Sequence, residues 1–155
     1  MSNPERSAAS PAALRVSQVV RVSRERAFDA WTDPRQIVRW WGPPGVSCPE
    51  AHVDLRVGGA YAIANQFDDG RVVWIRGTFE AIERPQRLVF TWRLDGALGG
   101  AAPERVTVRF EARGDATTEV IVEHERIASE ELRRDHETGW VGCLEGLAAF
   151  VESTG

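Results

Sequence analysis

Hydrophobic and polar positions follow three successive rhythms along this chain, and each predicts a different kind of element. Leu14, Val16, Val20 and Val22 share one side of an alternating run, with Gln18 the exception, so residues 14–22 read as a strand. The period then becomes helical. Ser23 is placed to cap a short helix over 24–32, with Ala27, Phe28 and Trp31 at helical spacing. Asp33 followed by Pro34 is a second start signal, Asp at the cap and Pro at the first helical position. The helix it opens presents Ile37, Trp40 and Trp41 and stops at Gly42-Pro43-Pro44.

From residue 52 the period is two. Val53, Leu55 and Val57 predict a strand over 52–57, closed by Gly58-Gly59. Tyr61, Ile63, Asn65 and Phe67 mark the next over 60–67, and Asp68-Asp69-Gly70 is a hairpin turn because Asp-Gly tolerates positive φ. Residues 71–82 continue as a strand whose faces the pattern does not assign, since Val72, Val73, Trp74 and Ile75 are all apolar. Gly77 within it marks a bulge or a close backbone approach. Three further strands alternate cleanly: Leu88, Phe90, Trp92 and Leu94 over 87–94, Val106, Val108 and Phe110 over 104–113, and Val120, Val122 and His124 over 118–125. Steps of three and four return over 129–152. There Leu132, His136, Trp140, Cys143, Leu147 and Val151 line one face of a long helix capped by Ser129.

Strands joined by tight turns build an antiparallel sheet. Its apolar face must be covered, and only the last helix is long enough. The predicted fold is therefore α+β: a curved antiparallel sheet of about six to seven strands wrapped around a long C-terminal helix, with two short helices after the first strand. Residues 1–13, rich in Ser, Ala and Pro, read as a disordered tail, and 14–155 as one domain.

Composition narrows the function classes. A net charge of −4 without a dense basic cluster argues against a nucleic-acid partner. All nineteen basic residues are arginine, which excludes a Schiff-base lysine. Cys48 and Cys143 have no CxxC spacing and are too few for a disulfide scaffold, so free thiols and a cytoplasmic location are expected. Residues 1–13 lack the apolar centre of a signal peptide, and no run reaches the ~18 apolar residues of a membrane span. An open sheet edge leaves a homodimer possible.

Several motifs together carry a resemblance: Phe28-x-x-Trp31-Thr-Asp-Pro34, Trp40-Trp41-Gly42-Pro43, and Asp54-Leu55-Arg56-x-Gly58-Gly59. They continue with Gly77-x-Phe79-x-x-Ile82-x-x-Pro85-x-x-Leu88-x-Phe90-x-Trp92 and His136-x-x-Gly139-Trp140. In order and spacing the chain resembles the START-like, birch-pollen-allergen-like helix-grip superfamily (SRPBCC). It is most similar there to the C-terminal domain of the activator of heat-shock-protein-ninety ATPase, in a bacterial-type single-domain arrangement. The resemblance implies a cavity between sheet and long helix that holds an apolar or aromatic small molecule. Members include lipid carriers, hormone receptors, polyketide cyclases and co-chaperone domains. The eukaryotic co-chaperone has a further N-terminal domain where this chain has thirteen small and polar residues, which counts against a chaperone partner.

The cavity residues expected on this basis are Trp40, Trp41, Tyr61, Trp74, Phe90, Trp92, Val108, Phe110, Val122, His124, His136, Trp140, Cys143 and Leu147. The same apolar positions could equally pack as solid core. His124, His136 and Tyr61 are the candidate catalytic groups of a cyclase or hydratase, histidine because it titrates near neutrality. The alternative is that both histidines are structural. His124, His136 and Cys143 show no metal-ligand spacing, so neither metal nor cofactor is expected. Arg76, if it faces inward with Trp74, could take a ligand carboxylate. Gly139, inside the last helix, costs about 1 kcal/mol relative to alanine and so needs a reason. Close approach of a strand or of the Trp40/Trp41 segment is one, making Gly139→Leu destabilising; room for a ligand is the other. No nucleophile elbow, P-loop, zinc-protease helix or dinucleotide-binding glycine pattern is present.

Overall fold

A computed structural model of the protein describes residues 12–95 and 103–154. The expected disordered tail lies outside the described residues up to residue 11, as does most of the loop over 95–103. The elements are β1 (Ala12–Val20), α1 (Arg24–Thr32), α2 (Pro34–Trp40), β2 (Val46–Ser47), β3 (Ala51–Val53), β4 (Ala60–Phe67), β5 (Val72–Glu83), β6 (Arg87–Leu94), β7 (Glu104–Gly114), β8 (Thr117–Ile127) and α3 (Glu130–Thr154). Strand β1 thus begins two residues before the predicted start and takes in Ala12 and Ala13.

The eight strands form one antiparallel sheet in the order β1-β8-β7-β6-β5-β4-β2, with β3 also on β4. One strand more than expected arises because β2 is only two residues long, too short for a period to show. The predicted strand over 52–57 is cut to β3. Past Val53 the chain turns, with the Gly59 N–H donating to the Arg56 carbonyl, and leaves Leu55 and Val57 exposed. Register places like with like on the inner face: Val16 opposite Val122, Leu88 opposite Val108, Val108 opposite Val122. Gly77 is a close approach, since a Cβ there would overlap the Thr91 carbonyl oxygen. The register shift in β5 falls later, between Phe79 and Ala81.

The caps follow the sequence. Ser23 Oγ accepts from the Arg26 N–H at 3.2 Å, Asp33 Oδ1 from the Arg35 N–H at 3.0 Å, and Ser129 Oγ from the Leu132 N–H at 3.1 Å. Each satisfies an amide that the first helical turn leaves unpaired. Helix α3 lies mainly against β1, and also against α2, α1 and β8. Two glycines set the closeness of that approach. A Cβ on Gly146 would sit 2.8 Å from the Trp40 carbonyl oxygen, and one on Gly142 would sit 2.8 Å from Pro43 Cβ. Gly139 differs: nothing lies within 4 Å of its would-be Cβ. The close-packing reason expected for Gly139 is therefore corrected, because the Trp40–Pro44 segment meets α3 one and two turns later.

Leu88 of β6, Val106 of β7, Val120 of β8 and Leu144 of α3 are fully buried and belong to one hydrophobic core. Among the described residues no helix is long and apolar enough to cross a membrane.

Candidate functional site

Because α3 sits over one half of the sheet, the β4–β5–β6 half curls away from it and leaves a cavity of ≈ 400 Å³. Its sheet wall carries Asn65, Phe67, Val73, Ile75, Trp92 and Leu94. Trp41, Pro43 and Val46 close one end, and Asp135, His136, Gly139, Trp140 and Cys143 on α3 form the opposite wall. Arg71 stands beside Phe67, its guanidinium 4.6 Å from the ring centroid. The lining is mostly apolar with a few polar groups, the usual make-up of a small-molecule site.

Five of the six tryptophans make one aromatic cluster behind and around this cavity. Trp31 stacks on Trp140 at 5.9 Å, Trp41 meets Trp140 edge-on at 5.6 Å, and Trp92 lies 5.3 Å from Trp140. Their N–H groups matter as much as their rings, because a buried donor needs an acceptor. Trp40 donates to the Ala30 carbonyl at 2.9 Å, and Trp41 donates to Asn65 Oδ1 at 3.0 Å. The Asn65 amide nitrogen in turn donates to the carbonyls of Ile63 and Val73, both at 3.3 Å. Trp92 Nε1 is the one buried side-chain nitrogen or oxygen among the described residues without a partner.

Beside Trp92 lies a charged group that the sequence reading passed over. Glu104 opens β7 opposite Trp92, and its Oε1 meets His124 Nε2 at 2.7 Å and His136 Nε2 at 3.0 Å. The two imidazoles stack, with centroids 4.7 Å apart. Burial would raise the Glu104 pKa, but hydrogen bonds from His124 and His136, with their positive charge when protonated, hold it down to about 2. Glu104 is thus a carboxylate, and a carboxylate only accepts.

The tautomers follow. Trp140 Nε1 lies 3.0 Å from His124 Nδ1. An indole nitrogen only donates, so His124 Nδ1 is bare and its proton sits on Nε2, donated to Glu104. Protonating His124 would set N–H against N–H. Its pKa is accordingly lowered, chiefly by burial and against the pull of Glu104. His136 also donates from Nε2 to Glu104; its Nδ1 has no hydrogen-bond partner among the described residues, and the ring is part of the cavity wall.

Glu104, His124 and His136 also place three ligand atoms within 4.8 Å of one another, the one such metal-like group among the described residues. The hydrogen bonding opposes an ion there. A metal-bound histidine keeps its second nitrogen protonated and donating. Trp140 already donates to that nitrogen of His124, so ligation through Nε2 would require an imidazolate.

Of the expected cavity residues, Trp41, Trp92, His136, Trp140 and Cys143 line the cavity. The rest are corrected. Trp40, Val108, Phe110, Val122 and Leu147 are fully packed core. Tyr61 and Phe90 line only a separate void of ≈ 20 Å³. The Tyr61 hydroxyl donates to the Thr91 carbonyl at 2.6 Å, and burial raises its pKa, so it is not available for proton transfer. Trp74 and Arg76 lie on the outer face: Trp74 stacks on His52 at 6.1 Å, and Arg76 pairs with Asp95 at 2.8 Å. His124 sits behind the wall, locked by two partners. The Cys143 thiol is buried and its pKa is pushed up to about 12, so it acts as a small apolar wall group.

The sheet gripping a long helix, with a cavity between them, defines a helix-grip domain of the SRPBCC type. The chain belongs to the family described as "Activator of Hsp90 ATPase homolog 1-like protein", whose profile matches residues 21–152. Membership makes it a binding domain in the general sense. Solved structures agree. The AHSA1 protein from Silicibacter pomeroyi is 26% identical with a TM-score of 0.82, over 93% of this chain and 100% of that one. Protein CV1439 from Chromobacterium violaceum is 27% identical with a TM-score of 0.78, over 92% and 99%. CalU16 from Micromonospora echinospora is 26% identical with a TM-score of 0.70, over 91% and 76%. No curated protein matches the chain.

Proposed function

We propose that this protein binds an apolar, aromatic small molecule in the cavity between β4–β6 and α3. The observation that carries this reading is an open ≈ 400 Å³ space walled by three tryptophans and aliphatic side chains, in a fold whose other half is solidly packed. A cavity of about 150 Å³ takes one benzene ring, so this space suits two or three fused rings. Gly139, bare on the α3 wall, keeps the space clear.

The test is native mass spectrometry of gently purified protein, followed by titration with naphthalene read by tryptophan fluorescence. A stoichiometric apolar adduct, or saturable quenching lost in Gly139→Trp, is expected. A clean apo mass together with no saturable quenching overturns the reading.

A further inference from the structure

Two charged side chains line the mostly apolar cavity from different walls, Arg71 beside the sheet and Asp135 on α3. Neither side chain has a hydrogen-bond or ion-pair partner among the described residues. Arg71 has carboxylates at hand that it does not take. Asp68 and Asp69 precede it in the β4–β5 turn, and Asp69 Oδ1 accepts from the Arg71 backbone N–H at 2.9 Å. The guanidinium instead lies over the Phe67 ring, 4.6 Å from its centroid, and Phe67 is itself a cavity residue. This cation–π contact is made through the charge and consumes none of the five N–H donors. The cavity therefore has at its rim a positioned guanidinium whose donors are free for an acceptor.

Asp135 acts in the opposite sense, since its negative charge disfavours an anion at the α3 wall. Glu104, bonded to His136 behind that wall, adds to the effect. The cavity is thus polarised, positive at the sheet rim and negative at the helix side. Of the two rim charges Arg71 is the one with a positioning contact, so the pre-organised half is the anion-binding half. A carboxylate is the small anion whose two oxygens match the guanidinium fork. From this we infer that the cavity takes an aromatic carboxylic acid, its carboxylate accepting from Arg71 and its rings directed inward towards Trp140 and Gly139. This rests on the aromatic-ligand reading above and adds the group by which the ligand is oriented. Arg71 is exposed, so the pair forms at the cavity mouth, where salt screens it.

The experiment titrates the full chain with 2-naphthoate, naphthalene and 2-naphthylmethylammonium at low salt, read by tryptophan fluorescence. The three probes share their rings and differ in charge. The unmodified protein should bind naphthoate more tightly than the ammonium, and added salt should weaken naphthoate relative to naphthalene. Arg71→Met keeps an unbranched stem and removes the charge. It should lower naphthoate affinity about fivefold and leave naphthalene affinity unchanged, which shows that the variant is folded. An unchanged ratio of naphthoate to naphthalene affinity in Arg71→Met, or a ratio in the unmodified protein that salt does not lower, overturns the inference and leaves the aromatic cavity standing. Tighter binding of the ammonium overturns it too and assigns the recognition of charge to Asp135. Binding of none of the three overturns both readings.

Discussion

Replacing Gly139 by alanine should stabilise this protein, although glycines two and one helical turns away on the same helix cannot be so replaced. Glycine in a helix interior costs about 1 kcal/mol relative to alanine, through backbone entropy lost on folding. At Gly139 nothing opposes recovery of that amount, because no atom lies within 4 Å of the added methyl. For a chain of 155 residues, about 1 kcal/mol moves the melting temperature up by about 2–4 °C. At Gly146 the same methyl would sit 2.8 Å from the Trp40 carbonyl oxygen, a backbone atom held by α2. Forcing that contact apart costs ~1–3 kcal/mol, which offsets or exceeds the propensity gain. Gly146→Ala should therefore fall at or below the parent melting temperature. Thermal unfolding followed by circular dichroism decides. A lower melting temperature for Gly139→Ala, or a clearly raised one for Gly146→Ala, would refute the assignment of which glycines meet the Trp40–Pro44 segment.

Three further predictions follow from the polar groups. Stability should fall on acidification in two stages. His124, held below its ordinary 6.5 by burial, takes up a proton only on unfolding, so its contribution is full above pH 6.5 and declines below it. Glu104, held from 4.5 to about 2, contributes above pH 4.5 and loses its contribution as pH falls towards 2. Urea midpoints that stay flat from neutral down to pH 4.5 would contradict the neutral, buried His124. Tyr61→Phe removes the donor to the Thr91 carbonyl and should cost about 1 kcal/mol in denaturant unfolding, with naphthalene affinity unchanged because Tyr61 lies outside the cavity. Trp74→Ala, on the outer face against His52, should also leave probe affinity unchanged; a marked loss would return Trp74 to the cavity.

The elements were legible because they rest on local rules. Ser23, Asp33-Pro34 and Ser129 mark helix starts through side-chain oxygens that accept from nearby amides, and alternation over β6, β7 and β8 marks the inner face through the pleat. Local rules failed where a run was uniformly apolar or very short. Val72–Ile75 gave no face, so Trp74 was expected inside, and β2 was too short to show a period. Glu104 was legible in principle, since it keeps phase with Val106, Val108 and Phe110 and so points inward. An inward carboxylate beside two inward histidines is a usable signal.

The sequence by itself determined the α+β class, the two capped short helices, the inward faces of the regular strands and, through its motifs, the family. Only the tertiary structure decided which inward residues pack and which enclose space. That depends on where α3 rests, and the contacts of Gly142 and Gly146 with the Trp40–Pro44 segment, far apart in the chain, set that place. The same holds for the chemistry. His124 and His136 look alike in sequence, yet Trp140 occupies the second nitrogen of one and leaves that of the other without a partner. Periodicity reports the face a residue lies on, whereas a tautomer and a cavity depend on partners that only folding brings within hydrogen-bond distance.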